Sequence, residues 1–436
     1  MDVLSPRPPS SVVATLTTNL DLAVLFCLIM ADVRVFQGSE VASFTLFELY
    51  IWGYCAPIVF SSLAIQGCRL DTQCRDFAFC VSLYMGWLVF VSALWIIFRH
   101  EPTIFQTVPQ NTKNILPGLV LVLFLFIRIR HMGAVTLLCN MYVIYSMLAS
   151  IIGIMQYKYG TPYFRELLEG TEFKMGVEGQ IVTSPVVGFS DHPNVFAMAI
   201  LPGVSLAALK LYAELRDGCR IRLVTMGTLA ILCLGMVLSD AKGSMVFTAA
   251  AIVCIAISRK RQFLFKLAFI AAVTLTTVLY SFHQAKLGNA EAGTVEARYA
   301  LWQIAYNAIG SDSYVCLFGD GMTHMQMWSW QVIGWELPTA HNGWIDQALT
   351  FGLPALALYF GFWRMFFNIT DSAVGGNGLD PAQVILDGLR CSILALVGVY
   401  FFEPVDYVTF PISQLFFLMG LGVCTASIIN QAPRHA

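Results

Sequence analysis

Apolar runs of about twenty residues recur along the whole of this chain, and few charges interrupt them. Of its 436 residues, 57% are hydrophobic and 12% are charged, against about 25% charged in an ordinary soluble domain. A helix of about twenty residues crosses the hydrocarbon core of a bilayer, and there the backbone must satisfy its own hydrogen bonds. The expected fold is therefore all-α and polytopic. About twelve transmembrane helices are expected, at 19–37, 45–66, 77–98, 115–130, 133–156, 186–209, 222–240, 243–258, 263–282, 341–366, 383–401 and 408–429. The layout is a tail (1–18), helices 1–9 (19–282), a large and partly helical loop (283–340), helices 10–12 (341–429) and a second tail (430–436).

The Lys/Arg distribution orients the chain. With the N-terminus in the cytoplasm, fifteen basic residues fall on the cytoplasmic side and eight on the outer side. The bias is strongest around 210–222 and 259–266. Both long polar intervals, 157–185 and 283–340, then lie outside. The net charge of −2 gives no reason to expect a nucleic acid partner. The cysteines lie mostly within apolar runs, where a thiol is a small apolar group, and no CxxC occurs. No disulfide framework or zinc site is expected.

Polar residues that could carry chemistry gather at the outer ends. His341 stands where the large loop re-enters the membrane, and an imidazole at that boundary can take a proton near neutrality. Taken alone, it reads more readily as a helix-start histidine satisfied by backbone or water; the cationic groups near it favour the chemical role. Arg298 opens an amphipathic pattern from Glu296 to Ile309, with Leu301, Ile304, Ala305 and Ile309 in one stripe and Trp302 beside it. A cation in a first helical turn, beside free N–H groups, makes an anion site; a salt bridge to Glu291 or Glu296 is the alternative. Lys242, in the turn Ser239-Asp-Ala-Lys-Gly-Ser244, either binds an oxyanion or snorkels. Arg165 binds likewise or is an ordinary solvated charge. Asp191, His192 and Asn194 flank Pro193 at a helix start, where they cap the helix or face a polar cavity. Together these groups are cationic and near the lipid boundary, where ionisable residues mark function. They suit a polyanion such as a lipid pyrophosphate, and no aspartate pair among them suggests a divalent metal.

These residues also follow a known pattern. The chain resembles the O-antigen ligase and O-antigen polymerase superfamily of bacterial envelope glycosyltransferases. His341-Asn342 followed by Gly352 is similar to its His-Asn-x9-Gly element, and Arg298 to Trp302 to its Arg-x-x-x-Trp helix. Gly188 to Asn194 resembles its Gly-x-x-x-His-Pro-Asn turn, and Arg165 to Gly176 its Arg-x10-Gly loop. Lys242 stands where arginine is usual, which keeps the charge and loses the planar fork. Ala355 stands where glycine, threonine or tyrosine is usual.

The resemblance implies an inverting, metal-independent glycosyltransferase without a cofactor, in the bacterial inner membrane with its active site on the periplasmic side. His341 would be the general base, acting with Arg298. Lys242, Arg165, His192, Asn194 and Asn342 would bind the undecaprenyl pyrophosphate-linked glycan donor. The acceptor of a ligase is lipid A–core. A polymerase would use a second lipid-linked glycan instead. A lipid-linked glycan transporter is the alternative from another class; it would favour ionisable groups buried along the spans, where Arg34 and Arg390 are the candidates.

Overall fold

The computed structural model describes residues 12–31, 34–36, 44–67, 69–98, 112–113, 115–159, 193–216, 222–257, 263–286, 292–321, 339–340, 342–375, 380–401 and 409–431. The chain begins with α1 (Val12–Ala31), then a short antiparallel ribbon of β1 (Arg34–Phe36) and β2 (Phe44–Thr45). Helices α2 (Leu46–Ile65), α3 (Thr72–Phe98), α4 (Pro117–Arg128), α5 (Met132–Tyr159) and α6 (Pro193–Arg216) follow. Next come α7 (Leu223–Leu238), α8 (Lys242–Ile257), α9 (Phe263–Lys286), α10 (Ala292–Ser311) and α11 (Ser313–Phe318). The last are α12 (Gly343–Phe351), α13 (Leu353–Ser372), α14 (Pro381–Val399) and α15 (Thr409–Gln431).

The described residues are thus almost wholly helical. Among them, six helices are long and apolar enough to cross a membrane: α2, α3, α5, and the greater parts of α6, α14 and α15. A helix lies in each of the twelve expected intervals. Several expected boundaries move: α3 begins at Thr72 rather than 77, and α6 runs to Arg216 rather than 209. The first helix stops at Ala31 rather than 37, where Asp32 and Arg34 interrupt the apolar run. The interval 341–366 is two helices, because Gly352 adopts φ 85° and breaks it. Inside α2, the turn Ile51–Cys55 widens to π geometry just before Pro57. A proline ring collides with the carbonyl four residues earlier, and a wider turn relieves the clash.

Burial ranks the helices. In α14 and α15, 83% and 89% of the apolar window is buried by protein, against 39% in α3. The first two are the central helices and α3 belongs to the rim. Phe79, Leu83, Phe90 and Ile97 of α3 and Ile144, Leu148 and Ile151 of α5 are exposed. Such apolar rims suit lipid rather than water. α14 packs on α6, α8 and α15, while α5 packs on α6 and α7. The α5 contacts are close because a small residue faces a glycine. A Cβ at Gly203 would lie 2.4 Å from Ser146 Oγ, and one at Gly235 would lie 2.5 Å from Ser150 Oγ. Without a hydrophobic drive between helices in lipid, such close backbone approach supplies the packing energy.

Pro202 sits inside α6. It has no N–H for the carbonyl of Met198, four residues back. Gln414 of α15 supplies the missing donor, with Nε2 at 2.9 Å from Met198 O.

One end of the bundle holds a buried ion network. Lys266 Nζ lies 2.7 Å from Asp371 Oδ2, Arg390 Nη2 bonds Asp371 Oδ1, and Arg390 Nη1 lies 2.7 Å from Asp387 Oδ1. Lys266 and Arg390 are fully buried. Among these four residues two cations meet two anions, and their bonds tie the start of α9 to the end of α13 and the first half of α14. Lys266 therefore belongs to the helical core and not to the loop at 259–266 in which its charge was counted. Removing one partner of a buried pair strands the other charge, at about 3–5 kcal/mol. Asp371→Asn is expected to cost about that much, read as a fall in unfolding temperature of the detergent-solubilised protein; an unchanged temperature would show the network to be dispensable.

Candidate active site

The opposite end of α14 lies roughly 15 Å from Arg390, at about 1.5 Å per residue over ten residues. Here the short helix α12 begins. Asn342 caps it: Oδ1 accepts the N–H groups of Trp344 and Ile345, both at 3.1 Å. Asn342 is 1% exposed, so through this oxygen it shapes the helix start. The N–H of Gly343 donates to Tyr400 O of the α14 end at 2.8 Å. Asp346, also buried, reaches back past the cap. Its carboxylate accepts Thr339 Oγ1 at 2.5 Å and the Ala340 N–H at 2.7 Å.

α10 closes over this segment. Leu301, Ala305 and Ala308 form a small core of their own with Val315, Ala340 and Leu349. The expected stripe is thus the buried face of the helix. Trp302 Nε1–H donates to Ala340 O at 3.0 Å. Its ring meets Phe401 edge-on at 5.4 Å, and Phe401 meets Trp344 at 6.0 Å. Arg298 is one turn before Trp302, on the same face, and is half-buried. The Arg298 helix therefore grips the residue immediately before His341. One expectation changes: α10 starts at Ala292, so Arg298 lies in its second turn. Free N–H groups and the dipole act within the first turn, so Arg298 offers an anion its own guanidinium and not a helix end.

Lys242 is the first residue of α8, after a turn closed by Ser239 Oγ on Met236 O at 2.6 Å, with Asp240 at φ 53°. It is exposed. Phe247, farther along α8, packs where a Cβ on Gly398 would be, 2.1 Å from its ring. That contact places the Lys242 end of α8 beside the α14 end that holds Gly343. Pro193 is the first residue of α6, as expected, and Asn194 follows it half-buried. Arg298, Lys242, Asn194 and Asn342 are so brought to one end of the bundle. His341, His192 and Arg165 lie outside the described residues, as do Trp328, Trp330 and Trp335.

Two glycines let α11 touch α12. At Gly352 (φ 85°) a Cβ would lie 2.0 Å from Leu317 O, and at Gly319 (φ 74°) one would lie 2.4 Å from Leu349 O. Asp320 N–H donates to Leu349 O at 2.6 Å, and Trp87 Nε1–H donates to Phe351 O at 2.9 Å. Tyr84 OH donates to Gln347 Oε1 at 2.8 Å. Sequence reasoning missed Asp346 and Gln347. The signal was available: a carboxylate five residues after His341, inside an apolar run, is costly unless it has partners.

Residues 227–360 match the profile of the O-antigen ligase family. The matched stretch is similar to that family over just under a third of the chain. It takes in Lys242, Arg298, His341, Asn342, Asp346 and Gly352, and leaves Arg165, His192 and Asn194 outside. The family points to a membrane enzyme of the glycosyltransferase-like O-antigen ligase or polymerase type, with lipid-linked glycans as substrates. No curated protein matches the chain.

Gly352 has φ 85° and ψ 168°, a region essentially reserved for glycine that costs other residues about 1–3 kcal/mol. Gly352→Ala adds a collision with Leu317 O. The protein carrying it is expected to lose folded yield on size-exclusion chromatography, by more than Gly361→Ala, where nothing lies within 4 Å of a Cβ.

Proposed function

We propose that the protein is an inverting, metal-independent O-antigen ligase of the bacterial inner membrane. It would have twelve spans and an active site on the periplasmic side. It moves a glycan from undecaprenyl pyrophosphate to lipid A–core. His341 takes the proton of an acceptor hydroxyl. The hydroxyl oxygen attacks the anomeric carbon from the face opposite the leaving group. The bond to the pyrophosphate oxygen breaks, its electron pair leaves with undecaprenyl pyrophosphate, and the configuration inverts. Arg298, Lys242 and Arg165 stabilise the departing charge; His192, Asn194 and Asn342 shape the donor site.

The observation that carries this reading is the grip of α10 on the loop before α12. Arg298 and Trp302 share one helical face, and the Trp302 indole bonds the carbonyl next to His341 at 3.0 Å. A cation on the donor and a base on the acceptor must meet at one reaction centre for this chemistry, and the bond from Trp302 to Ala340 O, between the Arg298 helix and the loop that leads to His341, supports that reading. The reaction draws its energy from the donor, consistent with a chain that shows no nucleotide motif. The polymerase reading shares every one of these residues and differs in the acceptor.

Purified wild type and His341→Ala, given undecaprenyl pyrophosphate-linked glycan with either lipid A–core or a second donor, separate the two. Glycan on lipid A–core with wild type alone supports the ligase. Ladder growth on the lipid carrier without transfer to core would falsify it in favour of the polymerase. His341→Ala is expected to lower kcat by about 10²–10⁴, the usual contribution of a general base. For Lys242→Ala the expected change is a donor KM raised about tenfold, as for loss of one charged hydrogen bond. An unchanged donor KM would remove Lys242 from the site.

A further inference from the structure

We propose that Asp346 is a positioning residue for His341: its buried carboxylate holds the two residues that lead into position 341, and with them the base. This rests on the reading of His341 as the base. Asp346 is 1% exposed and lies one turn inside α12. Its Oδ2 accepts the Thr339 hydroxyl at 2.5 Å and its Oδ1 accepts the Ala340 N–H at 2.7 Å. Neither bond is needed to start the helix. That task already belongs to Asn342, whose Oδ1 takes the Trp344 and Ile345 N–H groups. The Asp346 carboxylate instead fastens the chain before the helix.

The surroundings complete a clamp. Ala340 is fully buried and its carbonyl is held by Trp302; Gly343 N–H is held by Tyr400 O. Residues 339, 340, 342 and 343 are each bonded to something outside the loop or to α12 itself. The chain is thus bonded on both sides of position 341. A carboxylate is an unfavourable choice at a buried apolar position unless its bonds are required. Its place near the start of α12 favours the negative charge, and charge-assisted bonds are short and strong. An apolar side chain at 346 would remove the acceptor of the Thr339 hydroxyl and the Ala340 N–H.

The test compares steady-state kinetics of wild type, Asp346→Ala, Asp346→Asn, Thr339→Val, His341→Ala and the double variant Asp346→Ala/His341→Ala. The substrates are undecaprenyl pyrophosphate-linked O-antigen and lipid A–core, or a second molecule of the donor if that is the acceptor used. Asp346→Ala is expected to lower kcat about 100-fold, as misplacement by about 1 Å does, with donor KM changed by less than about threefold. Asp346→Asn keeps an oxygen for the Ala340 N–H and is expected to recover at least about tenfold of that loss. The double variant should be no slower than His341→Ala, because Asp346 acts only through the histidine.

A double variant slower than His341→Ala by the full Asp346→Ala factor overturns the proposal. So does an Asp346→Ala protein with reduced folded yield but wild-type kcat per folded molecule. If Asp346→Ala does not fold, Asp346→Asn and Thr339→Val carry the test: graded kcat losses at constant KM that vanish in the His341→Ala background support it, and losses that persist there overturn it. Inactive His341→Ala beside fully active Asp346 variants removes this proposal alone; fully active His341→Ala removes the base reading and this proposal together.

Discussion

A helix that breaks in an apolar medium exposes backbone groups with no water to take them, at a cost of several kcal/mol each. This constraint explains the long-range polar contacts of the molecule. Pro202 removes a donor from α6, and Gln414 of α15 replaces it. The break at Gly352 is sealed by Trp87 on Phe351 O and by Asp320 N–H on Leu349 O. The start of α12 is sealed by Asn342, Asp346, Trp302 and the Tyr400 carbonyl. Each seal uses a residue far away in the chain, so each also fixes one helix against another. The candidate site is positioned by these repairs more than by apolar packing, which has no direction.

Charge is divided between the two ends of the bundle. At one end Lys266, Asp371, Arg390 and Asp387 neutralise one another out of solvent. At the other, Lys242 is exposed and Arg298 half-buried. Such a buried ion network is suited to holding α9, α13 and α14 together. Accessible cations are suited to an incoming anion. Buried charges along the spans would favour a transporter if they formed a path. These four lie together where α9, α13 and α14 meet rather than spaced along one span.

The sequence made the fold class and the place of each helix legible because lipid sets the length and apolarity of a span. It also showed the Arg298–Trp302 face and the spacing from His341 to Gly352, since both are local. What it concealed was long-range or broken. Lys266 and Asp371 are 105 residues apart, and no periodicity links them. The start of α10 was set too late, at Glu296, because Gly293 and Thr294 look like a turn and fold as helix. The interval 341–366 looked continuous because both halves are apolar, and only the φ of Gly352 shows the break. Asp346 was visible as an acid in an apolar run, but its partners Thr339 and Ala340 precede the cap, where helical spacing says nothing.

The broken helix accounts for the arrangement of the site. A continuous helix from 341 to 366 would place its first residues one above another along a single axis, with their N–H groups pointing outward. Breaking it at Gly352 frees α12 to be aimed separately from α13. Once freed, nine residues have too few contacts of their own to stay oriented, and isolated helices of that length are unstable. The orientation must be imposed at both ends: by α11 and Trp87 at the break, and by Asp346, Trp302 and Tyr400 at the start. The carboxylate of Asp346 is the only one of these partners that belongs to α12 itself. It joins the helix to the residues that precede it, so that the loop before the cap and the helix after it move as one body.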